Sequence, residues 1–228
     1  MEFFPPQADA RLNALRFRLG WFSGRFAFCL ICLAVLFVSS CASASGGGGG
    51  KLPSSYNDEL DLRTRRGRVY EGLDARLHIY AVYKSETFRR AYIDEYASRY
   101  ALSDELREVL LKLELESGEK YNEFLISAYT PVDEWNDFDD REPTWRMYLS
   151  DKSGARLEPV EIKRLDAKDP LYREFYPFID YWSYVYSVRF PKYGVNGTNP
   201  MGGADSEYLT LTVTGIKGAG VLKWILPE

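Results

Sequence analysis

The chain has 228 residues and a formal net charge of −4, so it lacks the basic excess with which proteins bind nucleic acid. Its length is enough for one domain whose core needs no covalent cross-links. His78 is the only histidine, which excludes a zinc site built from several histidines.

The first distinct element is an apolar segment over residues 26–38, which follows several arginines and precedes small residues. A basic start, an apolar core and a small-residue boundary stand in the order of a secretory signal. As a helix this segment would span about 20 Å, which is shorter than the roughly 30 Å hydrocarbon layer of a bilayer. The sequence therefore predicts an export signal and disfavours a plain transmembrane anchor.

The boundary over residues 38–41, Val-Ser-Ser-Cys, resembles the lipobox of bacterial lipoproteins. In that family a small residue precedes a cysteine that is acylated, with palmitate among its acyl chains, and becomes the first residue of the mature protein. The resemblance implies a signal peptide over 1–40 and lipidation at Cys41. Cys29 and Cys32 would leave with the signal, so no thiol would remain for a disulfide or for catalysis.

Ala42 follows the cysteine that the lipobox resemblance marks for acylation. In enterobacterial lipoproteins an aspartate at this position signals retention in the inner membrane. The resemblance therefore implies an outer-membrane location facing the periplasm if the host is a diderm. Residues 41–55 include a run of glycines and predict a flexible tether. Residues 56–228 are predicted to form a single globular, β-rich domain.

Hydrophobic periodicity predicts a strand and two helices near the start of this domain. Apolar and polar residues alternate over 75–83, as in a strand. Ser85 and Ser103 are placed to cap two helices over about residues 86–117, and Gly118 is expected to end the second. The apolar stripe of the second helix consists of Leu106, Val109, Leu110 and Leu113.

From residue 122 onward, short alternating segments replace the helical period. They predict strands over 124–128, 145–149, 157–162, 182–190, 208–214 and 221–226. Pro159 is expected to mark a bulge or a sheet edge. Six or seven antiparallel strands predict a mainly β fold, an immunoglobulin-like or fibronectin-like sandwich with the two helices as an insertion.

The loop over residues 133–142 holds the densest set of carboxylates in the chain. Its candidate calcium ligands are Asp137, Asp139, Asp140 and Glu142, because calcium takes six to eight oxygen ligands. The loop lacks the glycine and the acidic spacing of an EF-hand, so a solvated loop without metal is the favoured interpretation. Glycoside hydrolysis would require two of these carboxylates to face each other across a cleft.

Eight aromatic residues crowd the segment over 172–186. Such rings are typical of a recognition surface as well as of a core. Alternation predicts that Trp182, Tyr184 and Tyr186 point into the core, which favours core packing. His78 is expected to be a half-exposed strand residue without a catalytic role, because no serine lies in a nucleophile-elbow pattern.

Two further segments carry weaker signals. Arg63, Arg65, Arg66 and Arg68 form a basic cluster that could touch anionic headgroups. The flanking acidic residues favour a neutralised, exposed segment instead. The stretch over 194–203, rich in glycine and proline, predicts a mobile loop long enough to be functional.

After Cys41 the sequence shows no nucleophile pattern, cofactor motif or phosphate-binding loop. The predicted function is that of a membrane-anchored envelope lipoprotein acting as a non-catalytic binding or structural module. Its expected partners are the lipid bilayer, through the acylated Cys41, and an envelope protein or a cell-wall glycan. Neither a nucleic acid nor a cofactor is expected. The alternative is an envelope hydrolase that uses acidic residues of the 133–142 loop.

Overall fold

Nine strands and four helices make up residues 55–193 and 207–226, the part of the chain that the computed structural model describes. The helices are α1 (Tyr56–Arg63), α2 (Glu86–Arg99), α3 (Asp104–Lys120) and α4 (Pro170–Phe175), with a 3-10 turn over Asp133–Trp135. The strands are β1 (Thr64–Glu71), β2 (Asp74–Tyr83), β3 (Tyr121–Tyr129), β4 (Trp145–Ser150), β5 (Arg156–Leu157), β6 (Glu161–Leu165), β7 (Tyr184–Pro191), β8 (Tyr208–Gly215) and β9 (Gly218–Ile225). The signal, Cys41 and the loop over 194–203 lie outside the described residues.

The strands form two antiparallel sheets. The five-stranded sheet has the order β1-β2-β3-β7-β6, and the four-stranded sheet has the order β5-β4-β8-β9. The fold is therefore mixed α/β and mostly strands, which confirms the β-rich prediction. The prediction of six or seven strands falls short of the nine strands described. Strand β1 was not predicted because its residues do not alternate cleanly, and the predicted strand over 157–162 is divided between β5 and β6.

The largest core cluster contains residues from both sheets. Leu77 and Ile79 come from β2, Leu211 from β8 and Trp224 from β9, and all four are fully buried. Alternation predicted these strands because every second side chain points toward this core. The buried indole of Trp224 is satisfied, since its Nε1 donates to the carbonyl oxygen of Arg63 at 2.6 Å.

A second cluster covers the other face of the five-stranded sheet. Val82 and Leu125 project from the sheet, and Phe88 of α2 and Phe175 of α4 pack over them. Strand β3 is therefore buried on both faces, and seven consecutive residues of it, 122–128, are buried. The two helices predicted as an insertion do lie between neighbouring strands, because β2 and β3 pair directly.

Serine caps determine where these helices begin. Ser85 Oγ accepts a hydrogen bond from the Phe88 amide at 3.2 Å, and Ser103 Oγ accepts one from the Leu106 amide at 3.4 Å, as predicted. Gly118 does not end α3, which continues to Lys120. A Cβ at this glycine would lie 3.0 Å from Arg89 Nε, so the glycine allows α2 and α3 to approach closely.

Helix α1 was missed by the sequence analysis, although Ser55 and Asp58 form a capping box at its start. None of the helices found in residues 55–193 and 207–226 is long and apolar enough to span a bilayer.

At Pro159 the chain changes sheets. Strand β5 pairs with β4, whereas β6 pairs with β7 of the other sheet. Pro159 has no amide hydrogen to donate, and the next residue, Val160, donates to the Arg189 carbonyl at 2.8 Å. The predicted bulge or edge is therefore a crossing between the two sheets.

Trp182 is wrongly predicted as a core strand residue. Strand β7 begins two residues later, at Tyr184, and Trp182 is 75% exposed. Its amide donates to Asp180 Oδ1 at 2.9 Å, in a turn that precedes the strand. Tyr186 is fully buried as predicted, and Tyr184 is partly buried.

Candidate functional site

Two adjoining openings lie beside α3, on the helix-covered side of the five-stranded sheet. We call the first, of about 280 Å³, the polar cavity; its walls include Lys84, Tyr92, Glu123, Lys163, Tyr176 and Arg189. We call the second, of about 390 Å³, the apolar groove; its walls include Ile93, Tyr96, Leu110 and Leu113. The two openings are contiguous, because four residues line both of them: Tyr92, Glu114, Leu171 and Arg189.

Arg89 is fully buried beside the polar cavity, and its guanidinium has three partners. Nε donates to the Lys84 carbonyl at 2.9 Å, Nη1 to Glu114 Oε2 at 2.5 Å, and Nη2 to Glu123 Oε2 at 3.2 Å. A buried charge is tolerated only when it is paired and hydrogen-bonded. These bonds therefore hold α2 against both α3 and β3.

Glu123 is the central acceptor of this network. Lys84 Nζ lies 3.2 Å from its Oε1, and the hydroxyls of Ser117 and Ser187 donate to its two oxygens at 3.2 and 3.3 Å. Burial raises the pKa of Glu123, but Lys84 and the two neighbouring arginines outweigh burial and lower the pKa to about 2. The carboxylate therefore stays ionised across the physiological range.

The outer wall of the polar cavity is formed by β6 and β7. Arg189 Nη1 donates to Glu161 Oε2 at 2.8 Å, and its Nε lies 3.6 Å from Glu123 Oε2. Lys163 stands opposite Ser187 in the strand register and is exposed. In the described part of the chain, no carboxylate pairs with Lys163 and no hydrogen bond involves its ammonium group. Lys163 is therefore available to a ligand.

Tyrosines form the remaining wall. Burial is the main cause that raises the pKa of Tyr92, Tyr172 and Tyr176. Their hydroxyls are therefore neutral and able to donate. Within residues 55–193 and 207–226, no hydrogen bond uses these three hydroxyls. Because all three residues line the polar cavity, their donors are available there.

Helix α3 borders the apolar groove with an uncovered face. The predicted apolar stripe is present, but no residue of the helix is buried. Leu106, Val109 and Leu113 are 46%, 53% and 58% exposed. An amphipathic stripe normally lies on a core, so this face is unusual for a helix of 17 residues.

The acidic loop over 133–142 is organised by hydrogen bonds rather than by converging carboxylates. Asp137 Oδ2 accepts from the amide and the hydroxyl of Thr144 at 2.7 and 2.9 Å, which ties the loop to the start of β4. Asp139, Asp140 and Glu142 are exposed. Among the residues that the structure describes, no three histidine, cysteine or acidic side chains are grouped to hold a metal.

A separate cavity of about 200 Å³ lies between this loop and the chain that precedes β6. Asp140 and Glu158 both line it, together with Arg141 and Arg146. The hydrolase hypothesis requires two opposed carboxylates, and in this cavity they would be Asp140 and Glu158.

His78 lies on the outer face of β2, between Arg68 of β1 and Tyr129 of β3. Its Nε2 lies 3.4 Å from the hydroxyl of Tyr70. Burial, followed by Arg68 and Arg66, lowers the pKa of His78. These neighbours agree with a half-exposed strand residue.

The predicted basic cluster is not a single exposed segment. Arg63 is buried and lies 3.4 Å from Glu59 Oε2, while Arg65 Nε donates to the Lys223 carbonyl at 2.9 Å. Only Arg66 and Arg68 project from β1 as exposed side chains. The expectation of an exposed segment is wrong for Arg63, which is buried at the end of α1, whereas Arg66 and Arg68 are exposed as expected.

The residues around the polar cavity were not singled out from the sequence. The signal that could have revealed them is Glu123, a carboxylate directly before the largely apolar segment from Phe124 to Ala128. Arg89, which follows Phe88 on the buried side of α2, is the matching signal. Neither signal shows that Arg89 and Glu123 pair with each other, because the two residues are 34 positions apart in the sequence.

Comparison with known proteins adds little to this description. No family model matches the chain, and no curated protein matches it. The chain is similar to a crystal structure, at 1.90 Å resolution, of a protein of unknown function from Burkholderia pseudomallei K96243. That similarity covers 74% of this chain and 80% of that chain at 13% identity, with a TM-score of 0.37.

Proposed function

We propose that the protein is a membrane-anchored envelope lipoprotein whose domain over 56–228 is a non-catalytic binding module. The lipid is attached to Cys41, and the domain lies beyond the 41–55 tether, facing the periplasm from the outer membrane if the host is a diderm. The lipobox-like boundary supports the anchor, and Ala42 supports the outer-membrane location.

One observation favours binding over catalysis: each carboxylate of the polar cavity is paired with a cation. A general base works best when its pKa lies near the working pH. The pKa of Glu123 is lowered to about 2, and those of the cavity tyrosines are raised. Such groups hold a ligand by hydrogen bonds and charge but are poorly suited to transfer protons at neutral pH.

The hydrolase alternative has weaker support. It requires opposed carboxylates in the 133–142 loop, and the Asp137 carboxylate is already bonded to Thr144. Asp140 and Glu158 line one cavity, but arginines line it with them.

We also propose that the two sheets form an immunoglobulin-like or fibronectin-like sandwich. Both sheets set strands that are distant in sequence side by side, β3 with β7 and β4 with β8, as the long connections of such sandwiches do. A crystal structure would test this through the angle between the sheets, which is about 30° in aligned sandwiches.

The anchor is tested by metabolic labelling with radioactive palmitate followed by membrane fractionation. Wild-type protein should carry the label and fractionate with the outer membrane, whereas Cys41→Ser should lose both properties. Cys29→Ser and Cys32→Ser are the matched controls, because they change cysteines within the predicted signal, and they should behave as wild type. Equal labelling of Cys41→Ser would refute the anchor.

A further inference from the structure

We infer that the polar cavity and the apolar groove together bind a single-chain amphiphile with a carboxylate or phosphate head. The inference rests on the proposed function, since it names the ligand class of the binding module. The head would lie beside Lys163 and the cavity tyrosines, and the chain would lie along α3.

The pairing of charged groups around the polar cavity favours an anionic head. Each carboxylate already pairs with a cation: Glu114 and Glu123 with Lys84 and Arg89, and Glu161 with Arg189. In the described residues this leaves one cation of the wall, Lys163, without a carboxylate. Lys163 therefore offers an unpaired ammonium group to an anionic head.

Asp166 and Asp169, the acids that follow Lys163 in the chain, do not pair with it. Asp166 accepts from the Lys168 amide at 2.9 Å, and Asp169 accepts from the Leu171 amide at 2.9 Å. Their carboxylates are thus held by the backbone at the start of α4.

The hydrogen-bonding groups available in the polar cavity are donors, which an anionic head group requires. The hydroxyls of Tyr92, Tyr172 and Tyr176 are neutral donors without partners in the described residues, and the Lys163 ammonium adds further donors. A carboxylate or a phosphate is an acceptor with several lone pairs and can accept from more than one of them.

The apolar groove adjoins the polar cavity and can bind the apolar chain of the ligand. Tyr92 and Arg189 line both openings, so a head in the polar cavity leads directly into the apolar groove. A free anion or a glycan would use the polar groups and leave Leu113 in water. An acyl chain would cover Leu110 and Leu113 and would gain the burial that α3 lacks.

The test uses the acylated full chain in phosphatidylcholine nanodiscs with a photoactivatable palmitic acid. Cross-links should map to peptides of α2 and α3 that contain Ile93 or Leu113. Excess palmitate should compete, whereas hexadecanol, which has the same chain without the anionic head, should not. Lysophosphatidic acid distinguishes a phosphate head from a carboxylate head, and competition by either supports the inference.

Four variants locate the two halves of the site. Lys163→Gln and Leu113→Gln should each reduce labelling about tenfold, as loss of a charge-assisted bond or of apolar burial would. Lys168→Gln and Ile216→Gln change an exposed lysine and an exposed aliphatic residue outside both openings, and they should label as wild type. Thermal melts should be unchanged in all four.

Four results would overturn the inference: absence of cross-links in α2 and α3, equal competition by hexadecanol, competition by inorganic phosphate alone, or competition by a cell-wall saccharide. The anchor is read separately, by palmitate labelling of Cys41. A failure of the amphiphile site with an intact anchor would therefore reject only the ligand class, and loss of the anchor would reject the proposed function.

Discussion

Arg89 and Glu123 meet in the interior of the domain, with Arg89 Nη2 3.2 Å from Glu123 Oε2 and side chains that are 0% and 6% exposed. This contact joins the first turn of α2 to β3. The helical layer is thus attached to the five-stranded sheet by a buried charge pair as well as by the aromatic contacts around Phe88.

Replacing Arg89 should therefore destabilise the fold strongly. Arg89→Met removes the guanidinium that faces two carboxylates, and breaking such a buried pair costs about 3 kcal/mol or more. Arg90→Met is the matched control, because the neighbouring Arg90 forms an exposed pair with Glu86 that should be worth less than about 1 kcal/mol. Urea unfolding measures both. Equal losses in the two variants would show that the buried network does not stabilise the helical layer.

Glu123 should make stability depend on pH in the acid range. Its pKa is lowered to about 2 in the folded protein, against about 4.3 in an unfolded chain. A lowered pKa gives a contribution that is fully present above about pH 4.3 and is lost as the pH falls toward 2, with a size of about 3 kcal/mol. The urea midpoints of wild type and Glu123→Gln should therefore converge between pH 6 and pH 2.5. A difference that is constant over this range would contradict the shifted pKa.

Several elements were predictable because their signals are local. Ser85 and Ser103 cap the next turn of their own helices, and the alternation over 75–83 needs only one buried face. Trp182 shows the limit of the same reasoning. Its position continues an alternating pattern, but the Asp180 turn interrupts the backbone before the strand begins.

The candidate site could not be predicted because it depends on contacts between distant segments. The apolar stripe of α3 was identified, yet periodicity cannot say whether another element covers the face that it marks. Here, within the described residues, Leu106 and Val109 remain about half exposed. The polar cavity brings together α2, α3, α4 and three strands, which only the tertiary fold determines.

Asp137 should stabilise the acidic loop without calcium. Asp137→Ala removes the acceptor of two hydrogen bonds from Thr144, so a loss of about 1–3 kcal/mol is expected. Asp139→Ala is the control, because this exposed residue should contribute less than about 0.5 kcal/mol. Melting temperatures with calcium, compared with sodium at equal ionic strength, should not differ. A calcium-specific rise that both variants abolish would establish a metal site.

Gly215 should tolerate no side chain. A Cβ at this position would lie 2.0 Å from the Thr144 carbonyl oxygen, so Gly215→Ala must displace backbone at the start of β4. A loss of more than about 2 kcal/mol is expected from this overpacking. Gly72→Ala is the control: Gly72 has a positive φ of 63° but open space, so only about 1 kcal/mol of backbone strain is expected. Similar urea midpoints for the two variants would argue against the close approach.

The domain should fold without residues 42–54, and it should be most stable when Ser55, the last residue of the tether, is retained. The side chain of Ser55 accepts from the Asp58 amide and caps α1, so a fragment over 56–228 should be about 1 kcal/mol less stable than one over 51–228. Fragments over 42–228 and 51–228 should unfold at the same urea concentration, because the sequence over 42–50 consists of alanine, serine and glycine and offers almost no side chains to bury. Far-ultraviolet circular dichroism of 51–228 should show mainly strand with a helical minority. A mainly helical spectrum, or a midpoint that rises when residues 42–50 are added, would refute an independent β-rich domain.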